Sequence, residues 1–262
     1  MKESLSRYHK LPFCDGLEAL YVTKYNTPFP FHYHPTFNIS LIYEGVFPTQ
    51  LHDRSIIAPS GALLVTNPGE IHANPCEKGN SVSFFTFYLG RDFLTHCNGG
   101  RPVLFGEKAI YDQALFSRLH QLSLEINRGG RGIGFEEKFI SAFSYMAVKY
   151  GSACDDPENS GTSTLFREFL AEDHLDKFSL PDTARRFGMD KYKFLRLFKS
   201  QTGLTPNNYF ILKRIEKSKF LLTEGRDLLG IAIELGFYDA AHFCNHFKKF
   251  TGIPPGAYIQ AD

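Results

Sequence analysis

LPDTARRFGMDKYKFLRLFKSQTGLTPNNYF (180–210) and LLGIAIELGFYDAAHFCNHFKKFTGIPPGAY (228–258) are two copies of one pattern. Phe194, Phe198, Lys199, Thr202, Gly203, Pro206 and Tyr209 recur 49 residues later as Phe243, Phe247, Lys248, Thr251, Gly252, Pro255 and Tyr258. Upstream of them, Leu180, Ala184 and Gly188 recur after 48 residues as Leu228, Ala232 and Gly236. The change of interval puts a one-residue insertion in the turn, GMD in the first copy and GFYD in the second. Each copy reads as a helix, a tight glycine turn, a second helix and a TG turn with proline. Asp190 and Asp239 stand where each second helix needs an N-cap. This is the order of elements in a helix-turn-helix, used twice. Alanine at 184 and 232 lets the paired helices cross closely, and glycine at 188 and 236 accepts a positive φ. Phe194/Phe198 and Phe243/Phe247, spaced i and i+4, anchor one face of each second helix and leave the opposite face for a major groove. Residues 206–223 read as one helix joining the copies, with Thr205 as N-cap and Pro206 at the first helical position. A rigid joint of that kind sets two readers in successive major grooves, about 34 Å apart.

Charge follows the same division. Residues 1–162 carry 14 Lys+Arg and 16 Asp+Glu, net −2, and residues 163–262 carry 15 and 12, net +3. Within 185–219 ten basic residues stand against two acids, Asp190 and Glu216, a net +8. Such an excess suits a polyanion; a merely solvated helical face is the alternative that charge alone leaves open. The 262-residue length fits two domains. With 43% hydrophobic and 22% charged residues, wholesale disorder and fibrous repeats are excluded. No apolar run approaches the length of a membrane span, and the N-terminus lacks the apolar region of a secretory signal. Five cysteines (Cys14, Cys76, Cys97, Cys154, Cys244) are odd in number and never spaced CxxC. They fit reduced thiols packed as small hydrophobes in a cytoplasmic protein. There is no P-loop, nucleophile elbow or dinucleotide fingerprint.

GSACDDPENSGTS (151–163) has the composition of a linker between domains at 1–150 and 164–262. Before it, LEALYVTKY, FNISLIYEG, ALLVTN and SVSFFTFYL are short β-rich runs separated by Pro/Gly turns, the pattern of a sandwich or barrel. From about 111 to 150 the period becomes helical, through Leu115, Leu119, Leu122 and Ile126 and then Phe135, Phe139, Phe143 and Ala147. The leucine seam has two readings, a short antiparallel coiled coil between two subunits or burial against the barrel. The fold class is α+β, a β-barrel with following helices and an all-α domain behind it.

Residues 165–260 resemble the DNA-binding domain of the AraC/XylS family of transcription regulators. The resemblance is carried by the first copy, by KRIEKSKFLL in the joining helix and by the GFxDxxHFxxxFKKxxGxxP pattern of the second copy. It implies seven helices, two helix-turn-helix units, and binding to promoter DNA with RNA polymerase as a further partner. Carried over by position, the base-facing residues are Tyr192, Leu195 and Arg196 in the first unit and Ala240, Ala241, His242 and Asn245 in the second. Arg196 suits a guanine and Asn245 an adenine, so specificity is expected to rest more on the first unit. Lys191, Lys193, Lys199, Lys248 and Lys249 are assigned to phosphates.

In the N-terminal half, FPFHYHPTFNISLIYEG (29–45) and GALLVTNPGEIHAN (61–74) resemble the two cupin motifs of the effector-binding barrel that precedes this DNA-binding domain in many such regulators. His32, His34, Asn38, Tyr43 and His72 are the candidate effector-binding residues, with Phe85 and Phe87 as an aromatic wall. Metal-dependent cupins carry a glutamate where this chain has Asn38, so no metal or other cofactor is assigned; polar pocket residues and buried, satisfied histidines are the readings kept beside a three-imidazole site. The leading reading is a DNA-binding transcription regulator governed by a small-molecule effector, a homodimer being admitted by the seam. The alternatives are a metal-dependent cupin enzyme fused to a helical domain and a regulator whose barrel meets a protein partner.

Overall fold

The computed structural model describes residues 5–11, 17–77, 79–129, 132–153, 169 and 178–261. The chain divides into two compact units, a mainly N-terminal one and a mainly C-terminal one, with Phe29–His32 assigned to the second. No helix among the described residues is long and apolar enough to cross a membrane.

The N-terminal unit contains a six-stranded sheet in the order β1-β2-β9-β4-β7-β11, with β1 at Leu5–Leu11, β2 at Leu17–Tyr25, β4 at Phe37–Glu44, β7 at Leu63–Thr66, β9 at Val82–Leu89 and β11 at Ala109–Ile110. A four-stranded sheet runs β3-β8-β5-β6, with β3 at Phe29–His32, β5 at Val46–Gln50, β6 at Ser55–Pro59 and β8 at His72–Asn74. Side chains alternate between faces along a strand, and β4 shows the consequence. Phe37, Ile39 and Leu41 join Phe85, Phe87, Leu63 and Val65 in one core with residues of helices α2 (Gln113–Asn127) and α3 (Phe135–Tyr150). Phe87 meets Phe139 and Phe143 with ring centroids 5.7 and 5.4 Å apart. The opposite face of the same strands looks across to the smaller sheet, as the stack of Phe84 in β9 on Phe47 in β5 at 4.8 Å shows. That inner face is mixed, with Asn38, Ser40, Thr66 and Thr86 beside Leu20, Val22, Ile42, Leu64 and Phe84.

Leu115, Leu119, Leu122 and Ile126 are all buried in the helix-on-sheet core. Burial against the barrel is therefore the correct reading of the seam, and the intersubunit coiled coil is not: these leucines are already covered by their own chain. Asp112 caps α2 by accepting from Leu115 N (2.9 Å) and ties it to the end of α3 through Lys149 Nζ and Tyr150 OH, both at 2.8 Å. The first three residues of the expected 151–163 linker are part of the N-terminal sheet structure. Gly151–Ala153 (β12) pairs antiparallel with Val103–Phe105 (β10), and 154–163 lie outside the described residues. β1 escapes the sequence pattern because SRYHK mixes charge and aromatics on an edge strand, where only one neighbour constrains it.

In the C-terminal unit the two copies fold alike. Leu180–Arg186 and Lys191–Thr202 form the first helix pair, Pro206–Thr223 joins the copies, Leu228–Glu234 and Ala240–Thr251 form the second pair, and Pro255–Ile259 ends the domain. Of the seven helices the resemblance implies, six lie in 178–261; before 178 only Phe169 is described, and it is helical and packs on Phe187 and Phe210 at 5.5 and 5.8 Å. The caps are those expected. Asp190 accepts from Tyr192 N and Lys193 N (2.9 and 3.0 Å), Asp239 from His242 N (2.6 Å) and Thr205 from Asn208 N (3.4 Å). Gly188 and Gly236 take φ of 64° and 71°, a region closed to most side chains. The TG turn is closed twice by one device. Thr202 Oγ1 donates to Phe198 O at 2.8 Å and receives Leu204 N at 3.3 Å, while Thr251 Oγ1 donates to Phe247 O at 2.8 Å and receives Ile253 N at 3.4 Å.

The seam gives a direct test. Leu119→Ala opens a cavity where a fully buried leucine stood, so a loss of ~2–5 kcal/mol in stability by urea unfolding is expected. Sedimentation should return the same oligomeric mass as wild type; a change in mass at unchanged stability would restore the intersubunit reading.

Candidate nucleic-acid interface and effector site

Phe194 and Phe198 in one second helix and Phe243 and Phe247 in the other are completely buried, and this decides which side chains face outward. On Lys191–Thr202 the exposed residues are Lys191, Tyr192, Lys193, Arg196, Lys199 and Ser200; Leu195 is only half-exposed, so it offers less to a base than its neighbours. On Ala240–Thr251 they are Ala241, His242, Asn245, Lys248 and Lys249, with Ala240 half-buried. Tyr238, 91% exposed in the inserted turn, stands beside this face; no pattern in the sequence singles it out. The basic excess is also partly committed inside the domain. Arg214 Nη1 donates to Gly236 O at 2.8 Å and its guanidinium lies over Phe237, holding the second turn. Lys219 pairs with Glu216 at 3.0 Å and Arg185 with Asp182 at 2.6 Å.

The second face carries a hydrogen-bonded histidine pair. Tyr238 N–H donates to His242 Nδ1 at 3.3 Å, and His242 Nε2 lies 3.0 Å from His246 Nε2. Since His242 Nδ1 accepts, its neutral ring holds the proton on Nε2 and donates it to His246. Burial, then the neighbouring His242 and Lys249, push His246 down to about 4 from 6.5.

In the barrel, the inner face of the larger sheet carries Asn38, Ser40, Thr66 and Thr86, all buried. Asn38 is register partner to both Thr66 and Tyr88, and Ser40 to Thr86, whose hydroxyls are 2.7 Å apart. From the smaller sheet come Thr49 and Asn74, bonded at 2.8 Å, and the buried His32 and His72. The rings of His34 and His72 lie 5.6 Å apart at their centroids, and that of His34 lies 5.5 Å from Tyr88. Burial pushes His72 below its ordinary value, which keeps it neutral. Three of the five expected effector residues, His34, Asn38 and His72, thus gather at one end of the barrel, while His32 falls in the other compact unit. Tyr43 does not: it lies on the helix-facing side of β4, its hydroxyl 2.6 Å from Ser123 Oγ in α2. Phe85 and Phe87 share that side and are core, not a pocket wall. Odd positions of β4 and β9 face the helices, and even positions face the lumen.

Two family profiles match this arrangement, an AraC-like ligand binding domain over residues 16–140 and a helix-turn-helix domain over residues 183–261. The chain belongs to the AraC family of transcriptional regulators. It is a DNA-binding regulator with a ligand-binding N-terminal domain, not an enzyme. Among its relatives, the uncharacterized regulator YbfI of Bacillus subtilis is 27% identical over 224 residues, 82% of this chain and 81% of that one. The transcriptional activator RhaS of Pectobacterium carotovorum is 22% identical over 252 residues, 90% and 89% of the two chains. In fold, the chain is similar to unsaturated fatty acid bound ToxT of Vibrio cholerae, with a TM-score of 0.52 at 14% identity over 99% of this chain and 95% of that one.

Two predictions follow from the exposed faces. Arg196→Ala is expected to weaken specific binding by ~1–3 kcal/mol and relax one base position, whereas Lys199→Ala should weaken all sequences alike and reduce the salt slope by about 1. Binding titrations across salt on a randomised site separate the two; an unchanged base preference in Arg196→Ala would show the helix presents another face. The histidine pair adds a pH dependence. A folded pKa below the unfolded one makes the unfolded chain bind more protons, so stability falls as pH drops from about 6.5 towards about 4. His246→Leu should lose less melting temperature than wild type across that window, and parallel curves would count against the assignment.

Proposed function

We propose that the exposed faces of Lys191–Thr202 and Ala240–Thr251 read promoter DNA, and that a small polar molecule in the barrel lumen governs this reading. Arg196, with Tyr192, carries most of the base discrimination; Asn245 and His242 supply the polar contacts of the second unit, where Ala240 and Ala241 leave room for thymine methyl groups. Lys191, Lys193, Lys199, Lys248 and Lys249 hold phosphates and fix the register. The observation that carries the effector half is the set of buried polar groups on the inner face: Asn38, Ser40, Thr66 and Thr86 in one sheet, with Thr49, Asn74 and His72 from the other. ToxT holds an unsaturated fatty acid; here the hydroxyls, amides and imidazole that share the inner face with Leu20, Val22, Ile42, Leu64 and Phe84 favour a ligand that carries hydroxyl or carboxylate oxygen. Its binding must differ in strength between two states of the protein to alter DNA affinity.

The test is a thermal-shift panel of sugars, polyols, hydroxy acids and fatty acids on the full chain, since a ligand of the folded state raises its apparent stability. A polar hit that also changes the affinity for a selected DNA site is the expected result. A response confined to fatty acids would overturn the ligand class, and a hit without effect on DNA would overturn the coupling.

A further inference from the structure

The histidine pair on Ala240–Thr251 does something that packing does not require. His242 and His246 stand i and i+4 on one face of the helix, and their Nε2 atoms are 3.0 Å apart. His242 is exposed, and His246 is half-buried between Phe237 and Phe250, with ring centroids 6.3 and 6.2 Å away. An apolar side chain would fill that place with nothing left unmatched. The imidazole instead leaves Nδ1 buried with no hydrogen-bond partner among the described residues, which costs about 1–3 kcal/mol. What the imidazole adds is Nε2, turned towards His242. Because that nitrogen accepts, the His246 proton sits on Nδ1 and the Nε2 lone pair is already presented. Two histidines one turn apart are the spacing by which a single helix grips a zinc-class ion. Two ligand atoms at ~2.1 Å from an ion stand ~3.0 Å apart at a right angle and ~3.4 Å apart at the tetrahedral angle. The separation of this pair is the first of these.

We infer that His242 and His246 form a chelating site for one divalent ion of the copper or nickel class, and that the ion takes the second unit off DNA. Imidazole nitrogens suit these metals, and a right-angled pair suits their square-planar or octahedral geometry. The proton count closes without net change. The neutral His242 ring holds its proton on Nε2 while Tyr238 N–H donates to Nδ1 at 3.3 Å. Binding the ion moves that proton, through solvent, from Nε2 to Nδ1, and the bond from Tyr238 is given up. Of the two bonds that the His242 ring makes, it is the longer. The remaining coordination positions are left to water. An ion-bound His242 has no Nε2–H to offer a base, and the hydrated ion stands on the same exposed face as Asn245. Metal and DNA therefore compete, and each weakens the other by the same factor. That competition rests on His242 as a DNA contact, proposed above; the ion site itself does not.

The experiment uses the full chain, stripped with chelator, and a DNA site selected from a randomised pool. Nickel chloride is the probe. Magnesium chloride at equal concentration is the control, because magnesium screens phosphates as nickel does but avoids imidazoles. In nickel, DNA affinity should fall about tenfold further than in magnesium, the order of one lost base contact. Equilibrium dialysis should count one nickel ion fewer on His246→Leu than on wild type. In chelator His246→Leu should bind DNA as wild type does, and nickel and magnesium should then act on it alike. Its melting curve shows whether the fold is kept, and His246→Phe is the replacement if it is not. Equal nickel counts on wild type and the His246 variant would overturn the site, as would a nickel effect on DNA that survives in the variant. Loss of one ion from the variant, with no nickel effect on DNA in wild type, would overturn the competition. His242→Ala in chelator reads the DNA contact separately. An unchanged base preference and affinity there would remove His242 from the DNA reading and leave the ion site standing, so either can fail alone.

Discussion

A helix can present one face to a groove only when its other face is fixed, and in this chain two buried phenylalanines one turn apart do the fixing, once in each unit. Phe194 and Phe198 stack near Phe187 and Tyr209, and Phe243 and Phe247 near Phe237 and Tyr258, with centroids 5.3–5.8 Å apart. Burying four such rings removes a large apolar area from water, at about 25 cal/mol per Å². Because the pairs are spaced i and i+4, they also fix the rotation of the helix about its axis. The aspartate cap at one end and the threonine–glycine turn at the other then fix its length. Exposure of Arg196 or Asn245 is a consequence of these commitments, not an independent feature.

The duplicated domain is more legible in sequence than the barrel, and the reason is physical. Helix caps, positive-φ glycines and i, i+4 pairs are local, so Asp190, Gly236 and Phe247 announce their roles within a few residues. A barrel is built from distant pairs, and each strand gives only an alternation. Even so, FNISLIYE holds enough to separate the faces: Asn38 and Ser40 share one parity and Tyr43 has the other, so Tyr43 could be assigned away from the lumen without a structure. The edge strand Leu5–Leu11 and the short strand Gly151–Ala153 could not be, because edge position and a three-residue length weaken the pattern that marks a strand. The leucine seam shows a different limit. Periodicity tells that Leu115, Leu119, Leu122 and Ile126 share a face, but not whether the surface opposite belongs to the same chain.

The two sides of the larger sheet are suited to different tasks. Its outer side is aromatic and aliphatic, interlocked with α2 and α3, and close packing of that kind resists small displacements. Its inner side is held by hydroxyls and amides whose bonds can be exchanged. Ser40 and Thr86 are bonded to each other, and either hydroxyl can be the donor, so the pair can turn to serve a guest without leaving a buried group unsatisfied. A ligand entering this lumen must replace such bonds one for one, because an unmatched buried polar atom costs about 1–3 kcal/mol. An apolar guest that broke these bonds would leave their atoms unmatched, whereas an oxygen-rich one takes them up. Under the proposed polar effector, discrimination between ligand classes rests on these inner-face groups before the shape of any particular ligand is considered.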